Sequence, residues 1–498
     1  MTTVPLLVRR FLRDAARTPV NLLVLVLVPV VFVVVASRPL ADAAELLGGV
    51  GGPPVETATA GWAAGFIAGV AMYFQVRGAR AADRRLVLAG LAPARLVAAR
   101  LATGLALAGF ASAAALVTLT VRTGLGDAPG RVVAGTVMYA VVYLAIGAVI
   151  GALVANPVNG TVLVLFVWIL DVFLGPVLGA ADRPLTWVLP THFVTLWMVD
   201  LPSGHGGRVG DFGWALTWTA VALAVAWSVI AATSRTAHAR RRAPAGSPRD
   251  QLSAGLRAGL RETGRNRVLW VLLVAVPVVF VLLSVATTPD AFTTLTVREN
   301  GAEHTVRPWL PDIHGGTMAP IAIGSLAALT GVFTVLDARS ADRRLALAGF
   351  HPAALLACRL TAVLLGALTA TAASLAVTAT VFDARDWPRY IAAGILIALT
   401  YALIGALLGP VFGRLGGVLI AFLIPFVDLG IGQSPMLRPE PPGWAHVLPG
   451  YGAGRVLTDA ALTPNFDTAG PLLLSLVWLA GLAVAVAALF HRALPTAR

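Results

Sequence analysis

Two aspartates, Asp171 and Asp428, stand inside long apolar runs that otherwise hold no charge. A carboxylate in such a run can serve as a cation or proton site. Each is followed by a glycine and a proline (Gly175 and Pro176; Gly430 and Pro435), so the other reading is a carboxylate that caps a short helix where the run breaks. A second set of charges is polar throughout. Asp83-Arg84-Arg85 sits in a block, residues 79–90, that returns at 338–349 as Asp342-Arg343-Arg344, identical at ten of twelve positions. Each block continues into an apolar Leu-x-Leu-Ala-Gly turn that contains Leu88 or Leu347, and a proline follows, Pro93 or Pro352. Apolar side chains beside so many charges are costly unless something covers them. The block therefore reads as a short helix that docks into a groove of another protein, with Asp83, Arg84, Arg85 and Asp342, Arg343, Arg344 as rim salt bridges. The alternative is a basic loop held to anionic headgroups.

Other chemistry is excluded by what is missing. The chain has no lysine, so a phosphate loop of the G-x-x-x-x-G-K-[ST] type cannot be present. The eight histidines are scattered, with no metal-ligand spacing and no Ser/His/Asp arrangement. The single cysteine, Cys358, excludes an internal disulfide and stands where the first copy has Ala99. The chain is read as no enzyme in itself, with no metal and no cofactor of its own. Phe66, Tyr73, Phe74 and Trp168 could line a pathway, or could pack a core.

The elements that carry these residues are membrane spans. Hydrophobic residues make up 58% and charged residues 12%, where a soluble chain has roughly a quarter charged. Runs of roughly 18 or more apolar residues, long enough to span a bilayer, recur at 20–37, 58–76, 101–121, 132–155, 157–181 and 212–234, then at 268–288, 315–336, 360–382, 390–413, 415–432 and 470–490. The net charge of +13 does not indicate nucleic acid, because the arginines cluster in alternate loops: 9–17, 77–100 and 235–249. That asymmetry places both termini and the central linker in the cytoplasm.

Six spans per copy is an even number, so the halves enter the membrane in the same orientation, as parallel repeats. Further matches run through each half: Pro29 with Pro277, Tyr143 with Tyr401, Asp171 with Asp428, Asp200 with Asp459. The register shifts by eleven residues between spans 1 and 2, which places an insertion in that outer loop of the second copy. Residues 4–16 set Val4, Leu7, Val8 and Phe11 on one helical face and Arg9, Arg13 and Arg17 on another, an interfacial helix that 252–265 repeats. Between spans 5 and 6, segments with Trp187, Phe193 and Trp197, or Trp444 and Tyr451, are too apolar for a solvated loop and read as short helices dipping into the outer leaflet. The expected fold is an all-α integral membrane protein of twelve helices in two parallel six-helix repeats. Its domains are 1–234, a cytoplasmic linker 235–250, and 251–498.

With these features together the chain resembles a type-2 ATP-binding-cassette permease with both membrane domains fused. That family has, per domain, an N-terminal elbow helix, six spans, a cytoplasmic coupling helix between spans 2 and 3, and re-entrant helices before span 6. Residues 4–17 and 252–265 match the elbows; 80–95 and 339–354 match the coupling helices. The family's coupling sequence is closer to Glu-Arg-x-x-Gly-Thr-Leu, and this chain lacks the Gly-Thr. The resemblance extends to actinobacterial exporters of antibiotics and other lipophilic compounds. It implies two copies of a cytoplasmic ATPase subunit as partners, with ATP and Mg2+ bound there, and residence in the cell membrane. The second reading is a proton-coupled major-facilitator-type efflux carrier, also twelve spans in two halves, whose loop between spans 2 and 3 carries Asp-Arg.

Overall fold

Among the described residues nine α-helices carry proline in their first two positions, including those that begin at Pro19, Pro93, Pro129, Pro157, Pro352 and Pro449. The first turn of a helix has no intrahelical use for the N–H that proline lacks, so these prolines start helices without weakening them. Long apolar sequence between such starts then propagates each helix until a glycine or a polar turn ends it.

A computed structural model of the chain describes residues 3–46, 49–178, 184–234, 264, 266–299, 302–347, 350–438 and 440–493. The chain divides into two units, 1–240 and 241–498. In the first unit the order is α1 (Thr3–Ala16), α2 (Pro19–Leu46), α3 (Gly52–Leu88), α4 (Pro93–Arg122), α5 (Pro129–Leu153), α6 (Pro157–Phe173), a 3-10 turn at Pro184–Val188, α7 (His192–Met198) and α8 (Val209–Thr233). The second unit runs α9 (Arg267–Thr287), β1 (Leu295–Glu299), β2 (Ala302–Val306), α10 (Leu310–Leu347), α11 (Pro352–Thr378), α12 (Trp387–Pro425), a π turn at Phe426–Gly432, α13 (Pro449–Leu462) and α14 (Ala469–Ala493). Among the described residues ten helices are long and apolar enough to cross a membrane. The protein is a multi-pass, almost wholly α-helical membrane protein. The linker 235–250 and the amphipathic segment 252–265, apart from Gly264, lie outside the described residues.

Three elements differ from the expectation. The run 157–181 is helical only to Phe173, since Gly175 and Pro176 cannot extend it. The runs 390–413 and 415–432 follow each other without a loop: two helical stretches meet at a kink at Gly413 within α12, where the φ of 70° is open to glycine and strained for other residues, and the second run ends in the π turn. The all-α expectation also misses an antiparallel hairpin, in register from Leu295↔Val306 to Glu299↔Ala302. It falls between α9 and α10, in the loop where the register of the two copies shifts, and Leu295 and Val297 are buried.

Within each unit the two most intimate partners are α3 with α5, and α10 with α12. Apolar helices in a bilayer gain from close van der Waals packing, which small residues permit. At Gly147 on α5 a side chain would collide with the Gly69 backbone of α3; at Gly405 on α12 it would collide with the Ala328 backbone of α10. These two close approaches fix α3 and α10 in the centre of their units, and both helices run on beyond their apolar stretch to carry the repeated charged block.

Candidate functional site

Helix α3 has 37 residues and α10 has 38. At 1.5 Å per residue each is roughly 55 Å long, against an apolar bilayer core of roughly 30 Å. The charged blocks are thus the projecting ends of long helices. This corrects the expectation of a separate short helix: α3 is continuous through Asp83, Arg84 and Arg85 to Leu88. The chain then reverses tightly. Gly90 has φ 94°, and the Leu91 N–H donates to the Leu86 carbonyl at 3.0 Å, the closing bond of a Schellman turn. In the second unit the Phe350 N–H donates to Leu345 at 2.8 Å, and α11 begins at Pro352.

Inside these ends the acid is taken by its own unit. Asp83 is only 6% exposed and receives two hydrogen bonds from Arg100 on α4, Nε at 3.1 Å and Nη2 at 2.7 Å. Asp342, 2% exposed, is held alike by Arg359 on α11: Nη2 donates to Oδ1 at 2.7 Å, and Nε is shared between Oδ2 at 3.2 Å and Oδ1 at 3.1 Å. A planar guanidinium matches a carboxylate in this two-point geometry. Arg100 also lies over the ring of Phe11, 3.7 Å from its centroid, and so ties α1 to the α3–α4 turn. Arg77 on α3 donates to the Ala155 carbonyl at 2.9 Å, and Arg414 meets Asp337 at 2.5 Å.

What the ends leave available is basic and apolar. Arg84, Arg85, Arg343 and Arg344 make no ion pair among the described residues, and all but Arg84, which is half-buried, are exposed. Leu88 is 87% exposed and Leu347, its counterpart 259 residues later, is 71% exposed. Each tip therefore presents one leucine beside two arginines, with the aspartate withdrawn beneath.

The apolar-run acids are bound in a second repeated arrangement. Asp171 Oδ2 accepts from the Tyr143 hydroxyl and the Thr191 hydroxyl, both at 2.6 Å, and Oδ1 accepts from the Thr191 N–H at 3.3 Å. Thr191 is the residue that precedes α7. Asp428 Oδ2 accepts from the Tyr401 hydroxyl at 2.6 Å and from the Gly450 N–H, in the first turn of α13, at 2.7 Å; Gln433 Nε2 donates to Oδ1 at 3.2 Å. Each carboxylate thus anchors the short helix that precedes the last long helix of its unit. A third pair stands at the other end of the long helices: Arg131 meets Asp200 at 2.7 Å, and Arg389 meets Asp459 at 3.5 Å. Asp386 also accepts from the Arg389 backbone and guanidinium, which holds its carboxyl below the usual range.

The aromatic candidates are dispersed within the first unit. Phe66 and Trp168 are buried against each other, ring centroids 5.1 Å apart, and the Trp168 indole donates to the Trp62 carbonyl at 2.9 Å. Tyr73, also buried, donates to the Asn156 carbonyl at 3.0 Å; Phe74 is half-buried beside it. Among the described residues no group of His, Cys, Asp and Glu is placed to hold a metal ion.

Sequence reasoning named Asp83 and Asp342 but not their partners Arg100 and Arg359. The signal was present: in both copies the arginine follows its aspartate by 17 residues, just beyond the repeated block. No family model matches the chain, and no characterised protein matches it in sequence.

Proposed function

We propose that the chain is the membrane permease of an exporter driven by a separate ATPase, of the type-2 ATP-binding-cassette kind. The observation that carries this reading is the pair of projecting helix ends, each with an exposed leucine, Leu88 or Leu347, beside arginines that lack an internal acid. Exposed apolar groups ringed by charge mark a protein contact. Two such ends in one chain call for two copies of one partner. On this reading Arg84, Arg85, Leu88, Arg343, Arg344 and Leu347 make the contact, while Asp83 and Asp342 stiffen the ends through Arg100 and Arg359.

The twelve spans are then the ten long helices with α12 counted twice across Gly413 and the 17-residue α6 added. The two units are parallel repeats, α1 is an elbow helix, and both termini lie in the cytoplasm. ATP and Mg2+ bind to the partner subunits in the cytoplasm. Closure of the partners around ATP shifts the permease between its states by differential binding. The cargo is lipophilic or amphipathic, of the antibiotic class, and moves outward.

Co-purification tests this. Expressed with the ATPase encoded beside it, the chain should retain two ATPase chains per permease and should hydrolyse no ATP alone. Replacing Arg84-Arg85 and Arg343-Arg344 by Glu should release the ATPase while membrane insertion persists. A single ATPase chain per permease, or full retention by the Glu variants, would reject this docking mode.

The specific alternative is the proton-coupled major-facilitator-type carrier, favoured by the two buried acids Asp171 and Asp428. The donors gathered around each carboxylate weigh instead toward an anchoring role.

A further inference from the structure

We propose that an anionic phospholipid binds at the end of α10 in the second unit, with its phosphate between Arg339 and Arg343 and its first methylenes in the apolar slot beside them. The slot is a cavity of about 40 Å³ between α10, α12 and α14, walled by Val335, Pro410, Val486, Leu489 and Phe490, with Arg339, Arg343 and the Arg359-bound Asp342 at its polar end. It takes the start of a hydrocarbon chain rather than a whole ligand.

Charge selects an anion. Of the two acids nearest in sequence, Asp337 is held by Arg414 and Asp342 by Arg359. Arg339 and Arg343, one helical turn apart and exposed, make no ion pair among the described residues. Depth selects a lipid. The α10 sequence is free of Asp, Glu, Lys and Arg from Ile313 to Leu336 and charged from Asp337 onward, so the arginines stand where headgroup phosphates lie. Basic pockets between spanning helices on the cytoplasmic side are recognised headgroup sites. An independent observation comes from the first unit. The matching arginines, Arg80 and Arg84, each bury an Nε that has no hydrogen-bond acceptor. A buried charged donor without an acceptor is expensive, and a phosphate oxygen would relieve it. Arginine is therefore set toward an anion at this position in both units, and the second adds the slot that accommodates an acyl chain.

The inference rests on the membrane character of the chain and not on the exporter reading; Arg343 is common to both, whereas Arg339 and the slot belong to the lipid site alone, so the slot variants test that site without touching the ATPase contact. The test is thermal melting of the full-length chain in dodecyl maltoside with added phosphatidylglycerol, phosphatidylcholine or inorganic phosphate. Phosphatidylglycerol should raise the melting temperature; the other two should not. The R339Q/R343Q variant should need about thirtyfold more phosphatidylglycerol for the same rise, as follows from losing two basic contacts at about 1 kcal/mol each. L489W, which fills the slot and keeps both arginines, should lose the response as well, and R344Q should keep it. Equal protection by phosphatidylcholine, or an unchanged response in R339Q/R343Q, would overturn the site. Protection by phosphate alone would make it a free-anion site. Loss in R339Q/R343Q with full retention in L489W and in the milder slot variant V486L would reduce it to surface attraction. Unchanged lipid response in R339Q/R343Q together with loss of the co-purified ATPase would assign the arginines to the protein partner instead.

Discussion

Arg100 grips Asp83 through Nε and Nη2, and Arg359 grips Asp342 through the same two nitrogens, with its Nε shared between both carboxylate oxygens. The two pairs lie in separate units and bracket the end of the repeated block, so the fork is repeated together with the turn it stabilises. It clamps the projecting end of one long helix to the first turns of the next. Buried, it also makes each aspartate unable to face a partner.

Breaking one member of this pair leaves the other buried without its counter-charge, a loss of about 3–5 kcal/mol. Asp83→Asn and Arg100→Gln should each lower the melting temperature of the purified chain markedly, and the double variant should lose less than the sum of the two. Asp342→Asn and Arg359→Gln should behave alike. Additive losses in the double-mutant cycle would show that the paired geometry contributes nothing of its own.

Asp171 and Asp428 differ from that pair in being held by neutral donors: Tyr143 and Thr191 for one, Tyr401, Gly450 and Gln433 for the other. An amide oxygen can accept the two short bonds made to Oδ2 in each site and loses only the longer one to Oδ1. Asp171→Asn and Asp428→Asn should therefore keep most of the stability, whereas Asp171→Leu and Asp428→Leu strand buried donors at about 1–3 kcal/mol each. Melting curves that fall as far for Asn as for Leu would mean that the negative charge itself is required.

Leu88 and Leu347 face outward at the ends of α3 and α10 and support nothing inside. Leu88→Glu and Leu347→Glu should change stability by no more than about 0.5 kcal/mol. If they anchor a partner, the same changes should weaken ATPase binding by about 2 kcal/mol or more each. Pull-down at graded salt separates this from a purely ionic contact, since a leucine contact survives added salt.

The fold was legible where the physics is local. Apolar runs of span length fix the long helices, and Gly175-Pro176 forecasts where α6 must stop. The hairpin was legible in principle: Asn300-Gly301 separates two short segments that pair as β1 and β2, and Asn-Gly is a strong hairpin signal. Its apolar–polar alternation lies in an insertion between two long apolar runs and is outweighed by them. The site was harder to read because its partners are remote in sequence. Nothing near Asp83 says that Arg100 will cover it, and nothing near Asp171 names Tyr143, 28 residues before it. Exposure was also misjudged at the acids. A charged block reads as uniformly solvated, yet on a helix Asp83 falls on the buried face while Arg85 and Leu88, two and five residues on, fall outside it.

The energy source separates the two functional readings most sharply. For the ATPase-driven permease, efflux of a lipophilic substrate should continue after an uncoupler collapses the proton gradient, provided ATP is held high. It should stop when the catalytic glutamate of the partner ATPase is replaced, with the gradient intact. For a proton-coupled carrier both outcomes reverse, and Asp171→Asn or Asp428→Asn should uncouple efflux from protons, because a carrier needs a carboxylate that gains and loses its proton. Here each carboxylate is fastened by a tyrosine hydroxyl and by donors at the start of a short helix. Proton release would disturb that anchor in every cycle, whereas Asn preserves it. The Asn variants should therefore retain most efflux, with unchanged dependence on ATP. Efflux that ceases with the uncoupler while ATP remains high would transfer the role of these two acids from anchoring to proton coupling.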